Sequence, residues 1–210
     1  KDDLKLAYLP SPGIVKLRIS IIGKDKASSE EKLNYYVSEL VKLIPDQIYG
    51  YGNVSMEGVV GELLKVNNQT LSTAESCTGG NVSKMLTSIS GSSSFFNGSI
   101  ISYTNQSKSE LLDVNEQNIE KYGAVSQQVV EQMAASVRLK FNSDFGISTS
   151  GIAGPSGGTT EKPVGTVWIA VANKDKVISK KLNLGYNRER NIHVSSISVL
   201  NLLRLELLKN

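Results

Sequence analysis

The stretch TLSTAESCTGGNVSKMLTS, residues 70–88, combines an apolar strand pattern, a turn with two glycines and the start of a helix. We predict a strand over residues 70–74 and a helix over residues 79–88, because Gly79 and Gly80 permit a tight turn between them. A strand that passes into a helix is the recurring unit of α/β proteins. The turn between them, with Ser76 at its start, is therefore a place that a ligand can approach closely.

Helical and strand patterns alternate along the chain after residue 53. Apolar residues recur at helical spacing in four further stretches, residues 56–66, 108–112, 126–141 and 188–208. Short apolar runs typical of strands occur at residues 99–104, 145–150, 165–171 and 177–184. We expect Ser126 to cap the helix that follows it. The alternation predicts a layered α/β/α domain around a mixed sheet over residues 53–210.

The first 52 residues have a different organisation. They predict strands over residues 4–9 and 15–22, a helix over residues 29–44 and a further strand over residues 47–51. Apolar residues alternate with polar ones in the second strand, which indicates one buried face; they are Val15, Leu17, Ile19 and Ile21. The glycine-rich turn at residues 50–53 marks a boundary, so we expect a small α+β domain of KH-like pattern over residues 1–52.

Composition limits the functions that need to be considered. Twenty-three Lys and Arg against twenty Asp and Glu leave a net charge of +3, which is too small to indicate a nucleic-acid or membrane partner. Cys77 is the only cysteine and His193 the only histidine, so one chain can form neither a disulfide nor a Cys/His zinc site. We find no secretion signal or apolar span and expect a cytoplasmic protein. The chain begins at Lys1, so we expect that part of the protein precedes it.

Ser76 is the candidate nucleophile at the strand-to-helix turn. A serine hydroxyl at such a turn can attack a carbonyl, and free backbone amides between Cys77 and Gly79 can receive the oxyanion that forms. The simpler interpretation is that Ser76 or Thr78 only caps the following helix. Residue types leave both interpretations open.

A glycine-rich segment, SGIAGPSGGTT at residues 150–160, is a candidate phosphate site because it offers many backbone amides with little steric cover. Its glycines are Gly151, Gly154, Gly157 and Gly158. The spacing is neither that of a dinucleotide fingerprint nor that of a phosphate-binding loop ending in Gly-Lys-Ser/Thr. A flexible connection between two strands remains the alternative.

Four ordered segments resemble the C-terminal domain of the CinA family, the nicotinamide mononucleotide deamidases. They are TAESCTGG at residues 73–80, SYTNQSKSELLDV at residues 102–114, YGAVS at residues 122–126 and SGIAGPSGGTTEKPVGTVWIAV at residues 150–171. The preceding LAYLPSPGIVKLRI, residues 6–19, resembles the small linker domain of full-length family members. The resemblance implies an additional upstream domain, similar to nucleotide pyrophosphatases, and assembly into homo-oligomers.

The resemblance also implies an activity and a set of residues. Ser76 matches the nucleophile of the family, and Tyr103 and Lys108 match the tyrosine and lysine that complete its catalytic group. The implied reaction hydrolyses the carboxamide of nicotinamide mononucleotide to nicotinate mononucleotide and ammonia, without a metal or another cofactor. Lys108 can act as the base only if burial lowers its pKa, so we expect it to be shielded from water. A Ser/His/Asp triad would instead need His193.

The substrate-binding residues implied by the resemblance surround these groups. They are Thr78, Gly79, Gly80, Gly151, Gly154, Gly157, Gly158 and Arg188, and Lys162 can add charge. The sequence departs from the family before its last helix: many relatives have Gly-Asp-Arg there, whereas this chain has Tyr186, Asn187 and Arg188. Two later positions that often hold arginine are occupied by Ile192 and His193.

Two interpretations from other classes compete with the amidase. The first is a nucleotide-binding regulatory module that keeps the pocket and has lost turnover, which the changes at residues 186–193 would permit. The second is an RNA-binding role for residues 1–51. It is disfavoured because no Gly-x-x-Gly loop joins two helices there and the basic surplus is slight.

Overall fold

The computed structural model describes residues 3–209, and the chain divides into two compact units, Lys1–Gly52 and Asn53–Asn210. In the first unit, strands β1 (Leu4–Ser11) and β2 (Ile14–Ile21) form an antiparallel hairpin that the helix α1 (Lys26–Leu43) follows. The side chain of Asp25 caps α1 by accepting a hydrogen bond from the Ser28 amide. The described residues of this unit thus have the α+β composition that the sequence predicts.

One expectation for the first unit is wrong, and another is confirmed only in part. Residues 47–51 form no strand: the turn after α1 continues to Gln47, whose amide donates to the carbonyl of Ile44. The predicted apolar face of β2 is partly covered: Leu17, Ile19 and Ile21 are half-buried, whereas Val15 is 56% exposed. No residue of α1 is fully buried. A hairpin of two strands offers one helix too little surface to enclose a core.

The second unit is built on a five-stranded mixed sheet. Its strands are β3 (Leu71–Glu75), β4 (Phe96–Ile101), β5 (Phe145–Gly151), β6 (Thr166–Ala172) and β7 (Val177–Asn183), in the spatial order β4-β3-β5-β6-β7. The three strands β4, β3 and β5 are parallel, and β6 and β7 continue the sheet in antiparallel fashion. The structure confirms the predicted α/β class with a mixed sheet.

Helices flank this sheet. They are α2 (Met56–Val66), α3 (Asn81–Thr87), α4 (Asn105–Leu112), α5 (Glu116–Tyr122), α6 (Gln127–Lys140) and α7 (Arg188–Leu207). Helix α5 was not predicted from the sequence, because it has only seven residues; it begins where the Asn115 side chain accepts from the Gln117 amide. Ser126 stands at the cap position of α6, but its hydroxyl donates to the Gly123 carbonyl instead of capping the helix.

Alternation along β5 assigns the two faces of the sheet. Gly146 and Ser148 face α6: an added Cβ at Gly146 would meet the Ala134 carbonyl, and the Ser148 hydroxyl donates to the Val130 carbonyl. Thr149 therefore points to the opposite face, where its hydroxyl contacts that of Thr78. One hydrophobic core cluster lies between the sheet and α4 to α6; its buried members are Ala74, Leu112, Val114, Ile119, Val129, Met133 and Val137.

Within residues 3–209, no helix combines the length and the apolar composition that crossing a bilayer requires.

The close approach of α6 to β5 yields a stability prediction. In Gly146→Ala, the new methyl carbon would lie 2.1 Å from the Ala134 carbonyl oxygen and 2.9 Å from the Arg138 amide, both backbone atoms. We expect the free energy of unfolding to fall by about 1–3 kcal/mol in urea denaturation, because helix and strand must separate. Gly185→Ala is the matched control, since nothing lies within 4 Å of its added carbon. Equal stability of the two variants would contradict the packing described above.

Candidate active site

Ser76 lies directly after β3, at the carboxyl end of the three parallel strands. Its amide donates to the Thr149 carbonyl at 3.0 Å, which extends the pairing of β3 with β5 by one residue. Only 8% of the residue is exposed. Ligands of open α/β sheets bind at this end of the strands, so the serine stands where the fold favours a site.

Lys108 comes to the serine from α4. Thr104 and Ser107 form a capping box that starts this helix directly after β4. The amine of Lys108 lies 2.9 Å from the Ser76 hydroxyl oxygen and 2.8 Å from the Ser102 carbonyl oxygen. The lysine is 1% exposed, so the predicted shielding from water is found. Serine and lysine therefore meet directly, without a bridging side chain.

Burial has opposite effects on the two ionisable groups beside the serine. It lowers the pKa of Lys108 from 10.5 to about 8, because a charged ammonium is disfavoured away from water. It raises the pKa of the Cys77 thiol to about 12, because the thiolate is the charged form. At neutral pH the thiol keeps its proton, while a fraction of Lys108 is neutral and can accept one.

The turn after Ser76 leaves two amides for a ligand. The Gly79 amide donates to the Ser76 carbonyl, and the Gly80 amide donates to the Glu75 carboxylate. Among the described residues, no backbone carbonyl and no side-chain oxygen accepts a hydrogen bond from the amides of Cys77 and Thr78. Of the predicted oxyanion donors at residues 77–79, only the amides of Cys77 and Thr78 remain available.

The capping interpretation of Ser76 and Thr78 is wrong. The cap residue of α3 is Gly80, with a φ of 98°, and it offers no side chain. Glu75 takes this role instead, accepting from the amides of Gly80, Val82 and Ser83 at 2.8–3.1 Å. Glu75 was not among the residues predicted for the site. A carboxylate at the end of a fully buried strand was the available signal, since a buried charge needs partners.

Thr78, Gly79 and Gly80 differ in what they can offer a substrate. The Thr78 hydroxyl donates to Glu75 at 2.7 Å and also contacts Thr149, so it is already engaged. The Gly79 and Gly80 amides are engaged as well. Gly79 nevertheless has open space above it, since an added Cβ would meet nothing within 4 Å.

Arg188 and Tyr103 meet at the edge of the site. One nitrogen of the Arg188 guanidinium donates to the Gly154 carbonyl and another to the Tyr103 hydroxyl, both at 2.9 Å. Tyr103 is 59% exposed, and Lys108 contacts Ser76 without it. Tyr103, which the resemblance assigns to the catalytic group, therefore lies with Arg188 at the edge of the site and does not bridge Ser76 and Lys108.

The glycines of the loop after β5 are explained largely by packing. Added carbons at Gly151, Gly154 and Gly158 would lie 2.5–2.7 Å from Val164 or Val167, and Gly157 has a left-handed φ of 91°. Asn191, 1% exposed, holds the loop to α7 by donating to the Ala153 carbonyl. Asn191 was not predicted from the sequence, since an asparagine in a helix carries no distinctive signal.

Two further candidates lie away from the serine. The Lys162 amine donates to the Tyr122 carbonyl at 2.6 Å and so ties the loop to the end of α5. His193 is exposed on α7, and no hydrogen bond joins it to Ser76 in the described part of the chain, which leaves the His193 triad without support. Residues 3–209 contain no cluster of three His, Cys, Asp or Glu side chains that could hold a metal ion.

The chain is an α/β protein with a Ser–Lys pair at the carboxyl ends of its parallel strands. Comparison with known proteins gives its family. The model of the CinA C-terminal domain matches residues 53–207. A CinA-like protein of Cytophaga hutchinsonii is 46% identical over 202 residues, which are 96% of this chain and 48% of that protein. A CinA-like protein of Flavobacterium psychrophilum is 43% identical over 99% of this chain and 50% of its own length. The chain belongs to the CinA family.

Solved structures agree with this assignment. A CinA superfamily protein of Klebsiella pneumoniae superposes with a TM-score of 0.72 at 26% identity, over 74% of this chain and 97% of its own. The competence/damage inducible protein CihA of Agrobacterium tumefaciens gives a TM-score of 0.69 at 30% identity, over 75% and 99%. These structures cover about three quarters of this chain, whereas the chain spans about half the length of the CinA-like relatives.

The burial of Lys108 predicts a pH-dependent stability. Between pH 8 and pH 10.5 the unfolded chain holds the lysine proton more strongly than the native protein does, so native stability rises with pH there. From pH 7 to pH 10, we expect the unfolding free energy of the wild type to rise by ~2 kcal/mol relative to that of Lys108→Met. The size follows from the difference between the native and unfolded pKa of the lysine, since one pKa unit corresponds to about 1.4 kcal/mol. Urea denaturation at both pH values measures this difference. Parallel behaviour of the two proteins would refute the burial argument.

Proposed function

We propose that the chain carries an amidase that hydrolyses the carboxamide of nicotinamide mononucleotide, with Ser76 as nucleophile and Lys108 as general base. The observation that carries the proposal is the 2.9 Å contact between the Ser76 hydroxyl and a lysine amine that is 1% exposed. With a pKa of about 8, roughly a tenth of this lysine is neutral at pH 7, which suits proton transfer. The substrate itself is inferred from the family resemblance.

The reaction proceeds in two halves. The Ser76 oxygen attacks the carboxamide carbon while its proton passes to the Lys108 amine. The tetrahedral intermediate then expels ammonia, which takes this proton as the carbon–nitrogen bond breaks, and an ester on Ser76 remains. Water then attacks the ester carbon and gives a proton to Lys108. The ester bond to Ser76 breaks, and the serine oxygen takes that proton from Lys108. Nicotinate mononucleotide and ammonia are the products.

The free amides of Cys77 and Thr78 support the tetrahedral intermediate. Each half-reaction puts negative charge on the former carboxamide oxygen, and fixed amides stabilise it without reorganisation. The Ser102 carbonyl has a complementary role, because it accepts from the Lys108 amine at 2.8 Å and keeps it oriented toward the serine. Nucleophile, base and oxyanion donors thus surround one reacting carbon.

Arg188 is the proposed anchor for the phosphate of the nucleotide. Its guanidinium is exposed and lies between Tyr103 and the glycine-rich loop, where the described residues offer free amides at Ser156, Gly157 and Gly158. Guanidinium groups and backbone amides are the usual phosphate partners. Tyr103 would orient Arg188 and contact the ribose or the pyridine ring.

Ser76→Ala tests the nucleophile. We expect ammonia release from nicotinamide mononucleotide to fall at least ~10³-fold, because the variant has no hydroxyl to form the ester on which both half-reactions depend. Ser88→Ala is the matched control: Ser88 is exposed and its hydroxyl donates to the Met85 carbonyl. Ammonia is measured by a coupled assay and nicotinate mononucleotide by chromatography. Substantial turnover by a folded Ser76→Ala protein would exclude the covalent route.

The phosphate contact is tested by pairing a variant with a smaller substrate. Arg188→Ala should raise KM for nicotinamide mononucleotide about 10- to 100-fold, since a hydrogen bond to a charged group contributes about 1.5–3 kcal/mol. It should have little effect with nicotinamide riboside, which has no phosphate. Arg190→Ala, exposed on the same helix, is the control. An equal loss with both substrates would remove Arg188 from the phosphate site.

The same assays address the regulatory alternative. Tight binding of the mononucleotide by calorimetry, together with no ammonia from the wild type, would favour a binding module over an amidase.

A further inference from the structure

We propose that Glu75 is a positioning residue that holds the Ser76 turn in its reactive form through a directed set of hydrogen bonds. The inference rests on the proposed function, because it assigns a role within the same site. Within residues 3–209, no hydrogen bond joins the Glu75 side chain to Ser76 or Lys108, so Glu75 acts through its neighbours. The residue is 1% exposed, and both carboxylate oxygens are hydrogen-bonded.

The buried Glu75 carboxylate accepts the hydrogen bonds that the amides at the start of α3 donate. It accepts from the amides of Gly80 at 2.9 Å, Val82 at 3.1 Å and Ser83 at 2.8 Å, and from the Ser83 hydroxyl at 2.6 Å. These amides belong to the first turn of the helix, where no intrahelical acceptor exists. The helix start is thereby fixed to the residue immediately before Ser76, and a substrate anion is not needed to complete it.

The Glu75 carboxylate also sets the direction of the neighbouring hydroxyls. Its oxygen accepts a hydrogen bond from the Thr78 hydroxyl at 2.7 Å. Thr78 must then accept the second contact, and the Thr149 hydroxyl is the donor across 2.7 Å. The chain of donors runs from Thr149 through Thr78 to Glu75.

These bonds fix both ends of the turn that carries the nucleophile. The Ser76 amide is bound to the Thr149 carbonyl, and the Thr78 side chain is bound to the Thr149 hydroxyl. The free amides of Cys77 and Thr78 lie between these two attachments. The donors around Glu75 share its two carboxylate oxygens, whereas a glutamine at position 75 has only one oxygen that can accept. The NH₂ group of the glutamine would face backbone amides, which are also donors. The turn would then lose at least one of its attachments.

A fluorophosphonate probe tests this inference without a nucleotide, because its reaction with a serine needs the same nucleophile and oxyanion donors. We expect Glu75→Gln to lower the maximal rate of Ser76 labelling at least about tenfold, since small displacements of reacting groups have effects of this size or larger. The half-saturating probe concentration should stay within about threefold of wild type, because probe access is unchanged. Intact mass and peptide mapping measure the labelling.

Glu131→Gln is the matched control for the substitution. Glu131 lies on α6 and accepts from Gln127 and Ser179, on the face of the sheet away from the turn. Its labelling rate should equal that of the wild type. If Glu75→Gln does not fold, Thr78→Val removes the hydroxyl link to Thr149 while the backbone bonds to Glu75 remain, and the same slower labelling is expected.

The outcomes separate the inference from the proposed function. A folded Glu75→Gln protein, or Thr78→Val in its place, that labels at the wild-type rate would overturn the positioning role. So would a loss confined to the half-saturating concentration. A wild-type protein that labels at Ser76 but releases no ammonia from nicotinamide mononucleotide counts against the proposed substrate alone. A wild-type protein that does not label overturns both.

Discussion

The site depends on an amine that is kept out of water beside a serine hydroxyl. A buried ammonium is unfavourable, which lowers the pKa of Lys108 to about 8 and leaves part of it neutral under ordinary conditions. The same burial costs stability whenever the lysine is protonated. The carbonyl of Ser102 offsets part of this cost by accepting a hydrogen bond. Reactivity and reduced stability thus have one physical origin.

The register of three strands sets this geometry. Ser76 follows β3, Ser102 follows β4 and Thr149 belongs to β5, and the pairing of these strands brings the three residues together. The Ser102 amide donates to the Glu75 carbonyl, and the Ser76 amide donates to the Thr149 carbonyl. A slip of one residue would turn every side chain to the opposite face of the sheet. The core between the sheet and α6 makes such a slip unfavourable.

The sequence predicted most of the α/β unit, because long apolar periodicities and glycine turns are local signals. It did not reveal α5, which is one short helix without a strong apolar face, or the absence of a strand at residues 47–51. The shielding of Lys108 was expected from the chemistry that the resemblance implies. The contacts of Glu75 and the link between Tyr103 and Arg188 were not, since each joins residues through the folded chain. Such contacts depend on distances in the folded chain, which a sequence pattern does not determine.

The antiparallel half of the sheet separates the site from the hairpin that joins β6 and β7. Strand β6 begins opposite Gly151 at the site and ends opposite Gly146, so the turn at Asn173 and Lys176 lies at the other end of the sheet. That turn is built from local hydrogen bonds to the Asn173 side chain and faces away from the serine. A fluorescent label or a surface tether attached there would leave the surroundings of Ser76 unobstructed. The hairpin between β6 and β7 is thus a suitable attachment site for immobilising the protein in ligand-binding measurements.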